Sequence, residues 1–341
     1  MKANAFSRAV VESLVNRSIR KIAEDPERGL RNLVDMGVAT ATGRFQKQFM
    51  GIVQGALRNE ECPYYELVCR LAQETSRRNL TTFGVNVGWQ SWTVGARRIR
   101  AREAACGAAV PWSLTLHMEG GGKDMDWAGL IRRGQENGVY AYFLHTGADP
   151  AALEAAAALT EGAPLCAFLL FAAPAAVSRA IGQLAALDNV MTLVDAGAEG
   201  WQQAAGQLQE ERRLYGFWRL CETDGSVLCA EEWLDELRHE GGPVVFLLAG
   251  PGCTEEGRSR LRQFTRAAWD RQRYPLLVFD YYSDILLVDE IISGSACFTG
   301  VLPDGRLTFC RDGQELAAEA GEALFERDLP GKAPAVREKI G

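Results

Sequence analysis

His117 and Glu119 sit two residues apart at the end of an apolar run, and His145 ends the next such run. Two imidazoles and a carboxylate at neighbouring strand ends are donors suited to zinc or a similar divalent ion, or to acid-base chemistry. Asp149 follows His145 closely enough to join them. The simpler reading of the same residues is a set of polar groups that satisfy one another by hydrogen bonds. Asp195, Glu199, Glu222 and Asp224 also follow apolar runs and could form an acidic pocket, although loops at strand ends are polar anyway. The nine cysteines show no CxxC pairing, which fits reduced thiols better than a disulfide framework. Cys221 and Cys253 each follow a strand-like run, so both could reach the same rim.

The elements that must hold these residues are legible from Val110 onward. Apolar runs at 112–118, 139–145, 165–171, 189–194, 213–219 and 243–249 alternate with helix-like segments at 126–137, 150–159, 174–187 and 199–212. Runs such as Leu165–Phe171 are apolar on both faces, as buried parallel strands are. Repeated strand-helix units predict an α/β fold with a partial or complete (β/α) barrel, whose functional groups gather at the C-terminal ends of the strands. A further strand pair, 276–280 and 306–310, flanks the turn Pro303-Asp304-Gly305.

Before the barrel, apolar residues recur three and four apart, and breaks at Asp25-Pro26, 39–43 and Cys62-Pro63 separate successive helices. This divides the chain into a helical N-terminal extension (1–80), a linker (81–110), the barrel with its C-terminal hairpin (111–313), and a terminal helix and tail (314–341). The run Arg97-Arg98-Ile99-Arg100-Ala101-Arg102 reads as a solvated or internally ion-paired helix face. A net charge of −7 argues against nucleic acid as a partner. No apolar run approaches the ~20 residues that span a bilayer, and no signal-peptide pattern opens the chain, so no membrane association and a cytoplasmic location are expected. Gly120-Gly121-Gly122 lacks the Lys-Ser/Thr pair of a phosphate loop and reads as a short connector.

Several strings together resemble the radical S-adenosylmethionine (SAM) superfamily, in a subgroup with a helical N-terminal extension and a SPASM-like C-terminal segment. Asp25-Pro26-Glu27 with Leu30, Leu33 and Asp35 resembles the opening of that extension, and Pro63-Tyr64-Tyr65-Glu66-Leu67-Val68 its later part. Val110-Pro111-Trp112 resembles the entry to the first barrel strand, and the stretch from Leu130 to Tyr140 the helix and second strand. The resemblance implies a TIM-type barrel, with SAM held at Thr146-Gly147-Ala148-Asp149-Pro150, where the family carries T-G-G-E-P.

The chain departs from the family at each reactive point. Where CxxxCxxC would hold an iron-sulfur cluster, it runs Glu119-Gly120-Gly121-Gly122-Lys123. Ala148 adds a Cβ to the SAM motif, and Asp149 is one methylene shorter than glutamate. In the C-terminal segment Asp280, Tyr281, Asp284, Gly294, Gly305 and Cys310 survive, but Ile291 stands at a cysteine position and Phe309 at a proline position. The expectation is a degenerate radical SAM-like barrel, a pseudoenzyme without a cofactor, serving as partner to an active radical SAM enzyme or to its substrate. Residual SAM binding, a rim cluster built on Cys221 and Cys253, and a barrel-mouth enzyme using His117, Glu119, His145 and Asp149 are the alternatives.

Overall fold

The computed structural model describes residues 8–41, 44–59, 61–120, 125–226, 229, 231–293 and 297–317. Four helices come first, α1 (Arg8–Glu24), α2 (Pro26–Thr40), α3 (Arg44–Ala56) and α4 (Tyr64–Glu74). Asp25 caps α2 by accepting the Arg28 amide, and Pro26 occupies the first helical position, where no amide proton is needed. Ile22, Leu30, Val34, Leu57, Cys62 and Tyr65 form a small core of their own between these helices.

The segment read as a linker is helical instead. It runs as α5 (Arg77–Val85), a π-helix (Asn86–Gly95) and α6 (Ala96–Cys106). Its glycines mimic loop signals, yet Gly95 lies so close to the Gly138 carbonyl that a Cβ would not fit. Two buried asparagines tie this rod to the start of the sheet. Asn79 donates to the carbonyls of Asp188 and Val190 and accepts the Leu214 amide, and Asn86 donates to the carbonyls of Pro164 and Cys166. The basic run lies on α6, where Arg98 sits over the Tyr140 ring and Arg100 donates to the Ile292 carbonyl.

Strand and helix then alternate through β1 (Ser113–His117), α7 (Trp127–Asn137), β2 (Ala141–Gly147), α8 (Pro150–Glu161), β3 (Ala167–Ala172), α9 (Pro174–Leu184), β4 (Val190–Asp195) and α10 (Trp201–Glu210). The series continues with β5 (Tyr215–Cys221), α11 (Glu231–His239), β6 (Val244–Ala249), α12 (Glu255–Arg271), β7 (Leu277–Asp280) and α13 (Tyr281–Ser293). Three short strands follow, β8 (Gly300–Val301), β9 (Leu307–Arg311) and β10 (Gln314–Ala317). The sheet order is β10-β9-β8-β1-β2-β3-β4-β5-β6-β7, with β1 to β7 parallel. Parallel strands laid down in sequence order by right-handed crossovers keep their helices on one face, so the sheet curls around the other.

This is a mixed α/β half-barrel and not a closed ring. Strands β7 and β10 end the sheet and do not pair with each other. Nor do β7 and β9 pair, as the reading of 276–280 with 306–310 had it. Strand β9 lies antiparallel to β8, which returns the chain to the free edge of β1. Gln314 to Ala317 form β10 where a terminal helix was expected, because Asp312 and Gly313 both adopt positive φ (52° and 75°) and turn the chain into a tight hairpin. The remainder of that terminal segment, and Gly294, lie outside the described residues. Among the described residues no helix is long and apolar enough to cross a membrane.

Candidate functional site

Alternation along the strands sends one set of side chains to the helices and the other to the hollow of the sheet. Tyr142 points outward, its hydroxyl donating to the Ile131 carbonyl beneath α7. Phe143 and His145 on β2 therefore face inward, together with their neighbours Thr115, His117 and Phe171 in register on β1 and β3.

The start of helix α13 reaches into that hollow. It begins directly after β7, and its first residue, Tyr281, is fully buried among Phe143, His145, Phe171 and Phe246, with ring centroids 5.3 to 6.2 Å away. The Tyr281 hydroxyl lies 2.9 Å from Thr115 Oγ1 and 3.3 Å from His145 Nε2. Burial, and then the neighbouring His117, hold His145 well below the ordinary imidazole range, so it is neutral at pH 7. Its ring stacks on Phe171 at 4.3 Å.

The hairpin supplies the second half of the site. His117 Nε2 lies 2.6 Å from Glu315 Oε1, and the Tyr282 hydroxyl donates to Glu315 Oε2 at 3.3 Å. Thr308 also donates to Glu315. Gly300 permits this approach, since a Cβ there would collide with Thr308 and Glu315 and stand 3.4 Å from His117 Nε2. At the end of β7, Asp280 accepts the Ser283 hydroxyl and amide, and Asp284 accepts the Asp280 amide. Burial and the adjacent Asp280 push Asp284 up to about 7.

His117 and His145 come together, with ring centroids 5.1 Å apart, whereas the other two candidates turn elsewhere. Glu119 is exposed and lies past the end of β1, so strand alternation no longer sets its direction. A Cβ on Gly147, whose φ is +54°, would stand 2.7 Å from the Glu119 carboxyl carbon. Asp149 caps α8 by accepting the Ala151 amide. Each histidine Nε2 already has a partner inside the protein. Among the described residues no three His, Cys, Asp or Glu side chains are grouped to hold a metal ion.

Among the described residues no three thiols are grouped to hold an iron-sulfur cluster. Cys221 ends β5, Cys253 lies in the turn after β6, and Cys310 is on β9. Cys166 is buried just before β3 and accepts the Gln135 amide, toward the opposite end of the sheet. Within the SAM motif, Thr146 donates to the Phe171 carbonyl, and Asp149 Oδ1 caps its own helix. Gly121 to Asp124, which include most of the glycine connector, lie outside the described residues.

Sequence reasoning missed Glu315, Tyr282, Thr308 and Thr115. Glu315 was assigned to a terminal helix, yet Asp312-Gly313 between alternating residues is a hairpin signal that places position 315 on a strand. No protein-family model matches the chain, and no curated protein matches it either.

Proposed function

We propose that this chain is a degenerate radical SAM-like half-barrel that has lost redox catalysis and acts as a binding or regulatory partner of an active radical SAM enzyme or of that enzyme's substrate. The observation that carries this reading is the occupied hollow. The Tyr281 ring fills the space between Phe143, Phe171 and Phe246, and its hydroxyl joins Thr115 in the middle of β1 to His145 near the end of β2, just below the rim where a half-barrel enzyme would receive its cofactor. Asp149 as a helix cap supports the same reading. What remains for recognition is the outer surface and the loops at the rim.

Anaerobic reconstitution with iron, sulfide and SAM tests it directly. The expected outcome is substoichiometric iron and sulfide, no 5′-deoxyadenosine, and no heat in a calorimetric titration with SAM. Stoichiometric iron with 5′-deoxyadenosine formation would overturn the reading. Retention of an intact radical SAM enzyme on the immobilised chain would identify the partner.

The His117–Glu315 pair favours a second reading, acid-base or metal-assisted chemistry at the mouth, because a carboxylate on an imidazole is a common way to orient a base or a ligand. Metal analysis of the wild type and His117→Ala after purification at neutral pH separates the two. Stoichiometric zinc in the wild type, lost in the variant, would favour the enzyme.

A further inference from the structure

Away from the histidines, the C-terminal rim holds a second pair of reactive groups. Strand β5 ends at Cys221, and the chain leaves β6 through a tight turn that reaches Cys253. Backbone hydrogen bonds hold the two connections together. The Gly250 amide donates to the Cys221 carbonyl, the Cys253 amide to the Gly250 carbonyl, and the Thr254 amide to the Thr223 carbonyl. The Gly252 amide also donates to the Glu222 carboxylate. The outcome is two sulfur atoms in contact, 3.4 Å apart, on residues only 2% and 4% exposed. The glycines nearby preserve the fit, since a Cβ on Gly257 would meet the Thr223 carbonyl and stand 3.0 Å from Cys253 Sγ.

Buried cysteines ordinarily act as small apolar residues, which requires no sulfur partner. Here two thiols that are distant in sequence face each other across connections already fastened by other bonds. We propose that Cys221 and Cys253 are a reversible redox pair that closes into a disulfide clasp between the β5–α11 and β6–α12 connections when the protein meets a low-molecular-weight disulfide.

The exchange balances with oxidised glutathione as the oxidant. One protein thiol, deprotonated, attacks a glutathione sulfur and releases one glutathione thiolate, and the second protein thiol displaces the other. The protein gives up two electrons and two protons, and two molecules of reduced glutathione carry them away. Burial, and then the adjacent Cys221, push the Cys253 thiol up to about 12, so attack awaits local opening of the exposed loop at Glu222 to Asp224. The disulfide product carries no charge, so the burial that suppresses the thiolate does not oppose it.

Cys229 lies in the same connection, and the nearby Cys221 contributes to a rise of its thiol to about 11, after burial. It is therefore the internal competitor that the experiment has to distinguish. The reduced full-length chain is equilibrated overnight in about tenfold excess of oxidised over reduced glutathione, quenched in acid, denatured, alkylated and mapped by mass spectrometry. The expected result is a Cys221–Cys253 linked peptide, loss of two of the nine titratable thiols, reversal by dithiothreitol, and the same link in Cys229→Ser. The clasped form melts higher, by roughly 5 °C for a closed loop of this length. Recovery of Cys221 and Cys253 singly alkylated, capped by glutathione, or joined to Cys229 overturns the proposal. The readout is taken on the unaltered chain, so poor folding of a cysteine variant cannot mask it.

Discussion

Tyr281 is the side chain on which the interior depends. Its hydroxyl is the shared partner of Thr115 and His145, all three buried. Tyr281→Phe keeps the ring contacts and strands both partners, so urea denaturation should show a loss of about 1–3 kcal/mol. Asp284 gives the pH dependence. Its folded value of about 7 stands above the ordinary 3.8, so the fold favours the protonated carboxyl. This group's contribution is therefore greatest below about pH 4 and declines as pH rises to 7. Asp284→Asn, which still accepts the Asp280 amide, should stabilise the protein more at pH 8 than at pH 5, as measured by denaturant midpoints. His117 and His145 were legible as a pair because strand ends in a parallel sheet align in register. Their partners were not, since Tyr281 and Glu315 arrive from 136 and 198 residues further along the chain, and nothing local announces such contacts.

The apolar runs located six barrel strands, and the observed strands begin one or two residues later than the runs do. The stretch before the barrel misled for a physical reason. Of its glycines, Gly84, Gly88 and Gly95 lie within helix, and Gly95 serves close packing against Gly138 instead of turning the chain. The same stretch carries the asparagines that meet the sheet where β3, β4 and β5 begin. Asn79→Ala would leave two carbonyls and the Leu214 amide without that partner, in a site that is fully buried. A loss of about 3 kcal/mol in chemical denaturation is expected, well above that of an exposed helix substitution such as Arg97→Ala. Strand β8 escaped notice because two residues, Gly300 and Val301, leave no periodicity to read.

Strand-helix alternation conveys an α/β sheet with strands in sequence order, but not whether its two ends meet. Closure depends on curvature and on which edge receives the last strands. In this chain the final strands join β1, which gains a second neighbour there while β7 stays at the margin. A chain ending at Leu302 would lose β9, β10 and the Glu315 carboxylate, leaving the β8 edge bare. Such exposed edges recruit further strands, so light scattering should show association that the full chain does not display.

The return to β1 also has a consequence in time. His117 and Glu315 are separated by 198 residues, so a ribosome adding about 5–20 residues per second takes on the order of 10–40 s to deliver the acid after the base has emerged. For most of that interval, until β8 emerges, the first strand of a nascent chain has a free flank, and anything that binds there competes with the protein's own tail.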